Sequence, residues 1–352
     1  MGQLSKRERV IRAMNFQETD RVPIYDILEN DALIERVACE PLTVENGDRV
    51  KGKAIGRCLD MTRMPSGPRA PGTRRTEQGL LVHDERWTLW IVERPWHDRP
   101  SMIAWIKRQI EETEKRVYDA AFAQQFYAGM DRFQGYFGDD TVQVVESGVG
   151  LTEVYWYLGW RQFSYLLADE PEVIDAWLQA RNRAELRRVA AIADPRRIPI
   201  ALTYDDIAYK TNLLLSPKWL RAHWLPGLKK LINAWHSRGV RCLFHSDGNL
   251  WPILDDLVEV GIDGLNPLEV QASMTVRAVR ERHPHLFLTG GVDVSQLLPM
   301  GTPEEVREAC RENIRATEGR GYFLGSTTEL HWEIPTENIL AMFESAWRNP
   351  VS

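Results

Sequence analysis

The chain has 352 residues, of which 43% are hydrophobic and 27% are charged, and its formal net charge at pH 7 is -6. This composition is typical of a soluble globular domain, and the negative charge argues against a general attraction for nucleic acid or for an anionic membrane. We therefore expect a small-molecule ligand, with no nucleic-acid partner and no membrane association.

The four cysteines, Cys39, Cys58, Cys242 and Cys310, are scattered without a C-x-x-C pair. This spacing indicates neither a disulfide framework nor a cysteine-only zinc site. No signal-type apolar segment opens the chain, and no apolar run approaches the roughly 18 residues of a membrane span. We expect a cytoplasmic protein with reduced thiols, folded as a single domain over residues 1–352.

The first hundred residues predict one strand and several additions. Ser5 caps a short amphipathic helix within residues 4–17, and residues 22–26 form a first strand that ends at Tyr25 and Asp26. Residues 40–80 show no period and are rich in Pro, Gly, Arg and Thr, which predicts a long surface segment inside an irregular insertion over about 40–100. Two apolar runs within residues 80–95 predict a hairpin.

Helices and strands then alternate. A helical pattern covers residues 101–134, and a buried strand over residues 141–145 ends at Glu146. A helix over residues 171–192 precedes a strand over residues 196–203, which is followed by Tyr204, Asp205 and Asp206. Ser216 and Pro217 begin a helix that leads to the strand from Val240, with polar residues from His245 to Asn249 at its end.

The last third of the chain repeats this unit. A strand over residues 261–265 is followed by Asn266 and Glu269, and a strand over residues 286–293 ends at Asp293. A capping box at residues 302–305 begins a helix to about residue 317, and the strand over residues 321–324 precedes Glu329 and His331. A final helix begins near residue 336.

Strands that alternate with helices, each ending in polar residues, predict a parallel α/β structure. About eight strands over this length favour a (β/α)8 TIM-type barrel with N-terminal helical and hairpin additions. The chain has no G-x-G-x-x-G motif and no P-loop, so the usual reasons to choose an open nucleotide-binding sheet are missing.

In a parallel barrel all the strand ends lie on one face, where they surround a single cavity. So many acids in one cavity need a cation, a basic substrate group or a raised pKa, and a divalent metal held by His245 and carboxylates is an economical solution. Aspartates also cap helices and form turns, so a structural role competes at each isolated position. The candidate residues are Tyr204, Asp205, Asp206, Asp247 and Glu269 for catalysis, Tyr25, Asp26, Glu146, Asn266 and Asp293 for substrate binding, and His245, Asp247, Glu269, Glu329 and His331 for a metal.

Several segments together resemble the uroporphyrinogen decarboxylase superfamily. They are the opening Arg7-Glu-Arg-Val-Ile-Arg-Ala-Met-Asn, Asp20-Arg-Val-Pro-Ile, Asp205-Asp-Ile-Ala, Ser216-Pro, His245-Ser-Asp-Gly-Asn, Gly261-Ile-Asp-Gly-Leu-Asn-Pro-Leu-Glu, Gly290-Gly-Val-Asp and Pro335-Thr-Glu-Asn. The resemblance covers nearly the whole chain and implies a (β/α)8 barrel with its site at the carboxyl ends of the strands.

Two branches of that superfamily compete. True uroporphyrinogen decarboxylases carry an arginine-rich segment near the amino terminus that holds the substrate's propionates, whereas this chain reads Ile24-Tyr-Asp-Ile-Leu-Glu-Asn there. The chain is more similar to the corrinoid-dependent methyltransferases, whose zinc is held by a His-x-Cys pair and a later cysteine. His245 matches the histidine and Glu269 looks like a nearby glutamate, but Asp247 replaces the first cysteine, and the later region reads Gly325 to His331.

The resemblance implies a methyltransferase that moves a methyl group between a small methoxylated or methylated compound and a corrinoid (cobalamin) cofactor on a partner protein. A His and carboxylate zinc site is harder than one with two thiolates, so we expect an oxygen-bearing methyl substrate, as in O-demethylation. A lyase that acts on a small carboxylated substrate is the alternative, and a non-catalytic binding protein of the same fold remains open, as does a homodimer.

Overall fold

A computed structural model describes residues 2–138 and 140–348. Its strands are β1 Leu28–Glu29, β2 Met61–Arg63, β3 Gly72–Arg75, β4 Leu81–Asp84, β5 Leu89–Glu93, β6 Val142–Gly148, β7 Ile200–Tyr204, β8 Ala208–Tyr209, β9 Asn212–Leu213, β10 Arg241–His245, β11 Gly264–Asn266, β12 Phe287–Val292, β13 Tyr322–Ser326 and β14 Leu330–His331. Its α-helices are α1 Lys6–Met14, α2 Asp31–Ala38, α3 Gly47–Cys58, α4 Arg99–Lys115, α5 Ala120–Phe137, α6 Leu151–Leu158, α7 Trp160–Asp169, α8 Pro171–Ile192, α9 Pro217–Trp219, α10 Leu225–His236, α11 Leu254–Glu259, α12 Val276–Arg282, α13 Leu297–Met300, α14 Pro303–Thr317 and α15 Thr336–Arg348. A π-helical turn covers Leu220–Trp224 and a 3-10 turn covers Val270–Ala272.

The central sheet is a closed parallel barrel. Seven strands pair in the order β13-β12-β11-β10-β7-β6-β2, and Ile24 and Tyr25 bridge its two edges by pairing with Leu324 and Met61. The Tyr25 amide donates to the Leu324 carbonyl at 3.0 Å. The segment after Pro23 is therefore the eighth strand, which confirms the predicted (β/α)8 barrel.

The interior of the barrel is filled by apolar side chains from alternate strand positions. This interior cluster comprises Val10, Ala13, Tyr25, Met61, Val142, Val144, Ile200, Leu202, Leu243, Phe287 and Phe323. Helix α1 contributes two of these residues and closes the amino-terminal end, where Arg9 donates to buried Asp60 at 2.6 Å. The barrel is therefore a packed core, open for chemistry only at the carboxyl ends of its strands.

The two-residue period of a strand carries the interior face onward to the carboxyl ends. Polar side chains stand at or near the carboxyl ends of these strands, most of them two positions after an interior residue, and we call this set the mouth layer. The mouth layer comprises Tyr25, Arg63, Glu146, Tyr204, His245, Asn266 and Thr289. Residues far apart in the chain are thus brought to one end of the barrel, as the sequence predicts.

Two predictions from the first half of the chain need correction. The prediction of a long irregular segment over residues 40–80 is wrong for residues 47–63, which form α3 and β2 and bury Val50, Ala54 and Ile55. Lysines, arginines and glycines interrupt the apolar period there, although helix α3 packs on α2 and α5. The helical pattern over residues 101–134 is two helices, α4 and α5, separated at residues 116–119.

Other local predictions are confirmed. Ser5 and Thr302 each form a capping box, and α8 has the predicted bounds. The hairpin of β4 and β5 is present and gains β3 as a third antiparallel strand. Within residues 2–138 and 140–348, no helix combines the length and apolarity that crossing a bilayer requires.

Candidate functional site

His245 ends β10 inside the barrel and is only 6% exposed. Its Nδ1 lies 2.6 Å from Asn266 Oδ1, while the Asn266 amide donates to Thr289 Oγ1 at 2.6 Å. Because the amide oxygen can only accept, this network assigns the imidazole proton to Nδ1 and leaves a lone pair on Nε2. Burial, followed by the nearby Arg63, lowers the pKa of His245 to about 4. The ring is therefore neutral at physiological pH, which is the form that binds a metal.

Two carboxylates face Nε2 of His245. Asp206 Oδ1 lies 3.7 Å from it and Asp247 Oδ1 lies 4.0 Å from it, and one ligand atom from each of the three residues lies within 4.8 Å of the others. Burial, with Asp206 and Glu269, raises the pKa of Asp247 to about 8. The buried Oδ1 of Asp247 has no hydrogen-bond partner in the described part of the chain.

These three residues fit a divalent metal. Ligands about 2.1 Å from a tetrahedral zinc ion lie about 3.4 Å apart, so the observed separations need only a small closure. Imidazole nitrogen with two carboxylate oxygens is a donor set that zinc accepts. The unpartnered Asp247 oxygen and the unprotonated Nε2 of His245 both face the cluster, as ligands would.

A second cluster of potential ligands shows the contrast. His236, Cys242 and Asp263 also lie together, at the amino-terminal end of the strands. The Asp263 carboxylate already accepts hydrogen bonds from the His236 ring at 2.6 Å, the Arg241 guanidinium at 2.7 Å and the Cys242 amide at 2.7 Å. Both oxygens of Asp263 already accept hydrogen bonds, so this cluster supports the fold. It has no unpartnered carboxylate oxygen like that of Asp247 in the cluster with His245 and Asp206.

Arg63 is the site residue that the sequence reasoning missed. It projects from β2 into the mouth layer, where Nη2 lies 2.9 Å from Nδ1 and 3.2 Å from Nε2 of His245. Nη1 donates to Glu146 Oε1 at 3.1 Å, and Nε donates to the Tyr25 hydroxyl at 3.4 Å. Burial opposes the charge, but Tyr25 and Glu146 keep the pKa of Arg63 above its ordinary value. The alternation of Met61, Thr62 and Arg63 is the signal that could have placed it in the interior.

Glu269 stabilises the loop beside the cluster and is outside the three-residue ligand set. Its Oε2 accepts the Gly248 amide at 2.6 Å. Gly248 has a φ of 89°, and a Cβ there would lie 2.5 Å from the Tyr209 nitrogen, so only glycine fits this turn. Glu269 thereby fixes the loop that carries Asp247, and its negative charge contributes to the raised pKa of Asp247.

Asp205 and Tyr204 face a neighbouring helix. The buried Asp205 carboxylate accepts from the amides of Gly150 and Thr152, at 3.2 and 2.7 Å, and from the Trp224 indole at 2.9 Å. Burial, with nearby Glu153, raises the pKa of Asp205 to about 7. The Tyr204 hydroxyl donates to Glu153 at 3.1 Å. These contacts place Asp205 at the start of α6, where it satisfies free helix amides.

The predicted substrate-binding residues divide into two groups. Tyr25, Glu146 and Asn266 belong to the mouth layer and contact Arg63 or His245. Asp26 instead accepts from the amide and hydroxyl of Ser326, at 2.7 and 2.9 Å, which joins the first strand to the last.

Asp293, Glu329 and His331 lie outside the three-residue cluster. Asp293 accepts from the Gln271 amide and the Ser295 backbone, both at 2.9 Å. His331 ends β14 and accepts the Glu333 amide at 3.3 Å. Glu329 raises the pKa of both Asp26 and Asp247, so its carboxylate lies within electrostatic range of the mouth.

A cleft of about 290 Å³ opens at the carboxyl ends of β6 and β7. Glu146 and Tyr204 of the mouth layer line it, together with Arg181 and Arg188 of α8. Arg181 pairs with Glu153 at 2.7 Å. The cleft has room for a small polar molecule, and Glu146 connects it to Arg63 and the cluster.

The architecture and the converging polar groups define a TIM-type barrel with its candidate site at the carboxyl ends of the strands. The sequence profile of the uroporphyrinogen decarboxylase (URO-D) family matches residues 166–348, just over half of the chain. The chain belongs to this family.

One solved structure supports the same fold. A methyltransferase from Methanosarcina mazei superposes with a TM-score of 0.70 at 15% identity, covering 98% of this chain and 99% of that one. A putative vitamin-B12 independent methionine synthase from Listeria monocytogenes gives a TM-score of 0.36 at 13% identity, covering 60% of this chain and 64% of that one. No curated protein matches the sequence.

Proposed function

We propose that the chain is a methyltransferase that moves a methyl group between a small methoxylated or methylated compound and a corrinoid held on a partner protein. The observation that carries the proposal is the cluster of neutral His245 with Asp206 and Asp247 at the mouth of the barrel. The methyltransferase from Methanosarcina mazei, similar over nearly its whole length, supports the reaction class by analogy only.

The charges at the mouth argue against a polycarboxylate substrate. Glu146, Asp206 and Glu269 all lie at or beside the mouth layer, where Arg63 contacts Glu146. Like charges in a partly buried site repel an incoming carboxylate. A neutral methyl donor suits this site better, and the cleft beside Glu146 and Tyr204, which Arg181 and Arg188 also line, is of a suitable size for it.

His245, Asp206 and Asp247 would hold a divalent metal, with zinc as the first choice. When bound, this metal would act as a Lewis acid that polarises the oxygen or nitrogen from which the methyl group leaves. The chain's own residues prepare that role. Asn266 fixes the His245 ring with its Nε2 lone pair exposed to the cluster, and Glu269 holds the loop of Asp247 through Gly248.

A lyase acting on a small carboxylated substrate is the second candidate, and Arg63 favours it. A guanidinium in a partly dry site can bind a carboxylate strongly. Asp247, with its pKa near 8, keeps a proton at neutral pH in the absence of a metal and could donate it to the carbon that loses carbon dioxide.

The decisive experiment uses the zinc-loaded protein with cob(I)alamin and a set of donors: methanol, a methoxylated aromatic compound and methylamine. We expect methylcobalamin from at least one donor, and loss of at least about 100-fold in rate in His245→Ala, which exceeds the usual cost of losing a residue that supports a ligand. Glu337→Gln, at an exposed position whose carboxylate pairs with Arg36, is the control. Failure to form or consume methylcobalamin with every donor, together with release of carbon dioxide from a carboxylated substrate, would establish the lyase instead.

A further inference from the structure

The Nε2 lone pair of His245 already has a partner in the structure. Since Nδ1 donates its proton to Asn266, an Arg63 N–H can form a hydrogen bond with this ring only at Nε2, 3.2 Å away. Nε2 is also the atom that faces Asp206 and Asp247. A metal held by these three residues needs the same lone pair that Arg63 uses.

We propose that Arg63 is a built-in cation that competes with the metal for His245, so that metal binding requires the guanidinium to leave the ring. This inference rests on the proposed metal cluster and adds a residue that controls its occupancy. An imidazole nitrogen has one lone pair, and two cations cannot share it. A guanidinium beside a bound divalent ion would also repel it in a partly buried site.

The surroundings of Arg63 allow this exchange. Its Nη1 is held by Glu146, whose side chain is 43% exposed and lines the open cleft. Arg63 can therefore give up His245 while it keeps its pairing with Glu146. Tyr25 accepts from Nε of the same guanidinium at 3.4 Å, a contact that does not depend on His245. The mouth has two arrangements, one with Arg63 on His245 and one with the metal there.

The test measures zinc affinity by competition with a chromophoric chelator. Arg63→Met keeps an apolar stem but removes the charge and every donor, and Arg63→Gln keeps a group that can hydrogen-bond to Glu146. Both variants should bind zinc about 10- to 100-fold more tightly than the wild-type protein, the range expected when a charge-assisted hydrogen bond no longer has to break. Arg69→Gln removes a positive charge from the loop after β2, and its Nη1 donates to the Trp87 carbonyl. Arg69→Gln should change zinc affinity less than about twofold if the contact between Arg63 and His245, and not the overall charge, controls zinc binding.

The outcomes separate this inference from the proposed function. Equal affinity in the wild-type protein and both Arg63 variants would overturn the competition and leave the methyl-transfer assay unaffected. A gain in Arg69→Gln as large as in Arg63→Met would also overturn it, because general charge would then explain the effect. Zinc binding that survives His245→Ala unchanged, or is absent from every variant, would overturn both this inference and the metal cluster.

Discussion

Asn266 should control metal affinity without touching the metal. It is 4% exposed, accepts the Nδ1 proton of His245 at 2.6 Å and is itself held by Thr289 at 2.6 Å. Asn266→Leu removes this acceptor, so the ring loses both its orientation and its preference for the tautomer with a free Nε2. Supporting residues of this kind are worth 10- to 100-fold in affinity, or about 1.4 to 2.7 kcal/mol. We expect zinc affinity, measured by chelator competition, to fall by that factor.

Two further variants separate orientation from general damage. Asn266→Asp keeps an acceptor oxygen toward Nδ1, and the Thr289 hydroxyl can turn to donate to it, so this variant should retain wild-type affinity within about threefold. Asn338 is similarly buried, but its amide donates to the carbonyls of Leu298 and Gly301, neither of which belongs to the mouth layer. Asn338→Leu should lower stability by about 1–3 kcal/mol with no change in zinc affinity. Unchanged affinity in Asn266→Leu would refute the assigned tautomer and its role.

Two predictions concern stability. Burial raises the pKa of Asp26 to about 7, so the native state holds a proton that the unfolded chain has lost above about pH 4. The free energy of unfolding should therefore decrease as pH rises from 4 through 7, by at most about 4 kcal/mol. This decrease should be absent in Asp26→Asn. The same pH dependence of the unfolding free energy in the wild-type protein and in Asp26→Asn from pH 5 to 8 would contradict the prediction. Asp60 is fully buried and accepts from Arg9 at 2.6 Å and Arg21 at 2.7 Å. Asp60→Ala should lower the free energy of unfolding, measured by urea denaturation, by about 3–5 kcal/mol. Glu337→Ala, which breaks an exposed pair, should lower it by under about 1 kcal/mol. Equal losses in the two variants would show that the buried ion pairs stabilise the fold no more than an exposed one.

The barrel was largely predictable because most of its strands are apolar runs of about five residues that end in polar groups. The strand that escaped prediction, β2, has only three residues, and its interior position at the carboxyl end is Arg63. A charged residue interrupts the apolar run that marks a strand in the sequence. The interior position of Arg63 can be recognised only from the strand pairing, in which Met61 lies beside Val142 and Arg63 beside Val144.

The sequence could predict which end of the barrel carries the site, but not which side chains contact each other there. Strand ends in a parallel barrel must converge, so His245, Asp206 and Asp247 could be assigned to one end. Their pairing depends on side-chain direction, and that separates Asp206, which faces His245, from its neighbour Asp205, which caps α6. Glu269 was predicted as a ligand from resemblance, whereas its bond to Gly248 arises from a turn geometry that spacing alone does not encode.

The charge balance at the mouth links the metal cluster to Arg63. Glu146, Asp206 and Glu269 add negative charge around one guanidinium, and burial, together with Asp206 and Glu269, raises the pKa of Asp247 to about 8. Such a site gains from one more cation, which would replace that proton. A barrel mouth with Arg63 alone is therefore short of positive charge, and a divalent ion at His245 supplies it while Arg63 turns to Glu146. The same residues thus explain both why a metal should bind and why its affinity should depend on Arg63.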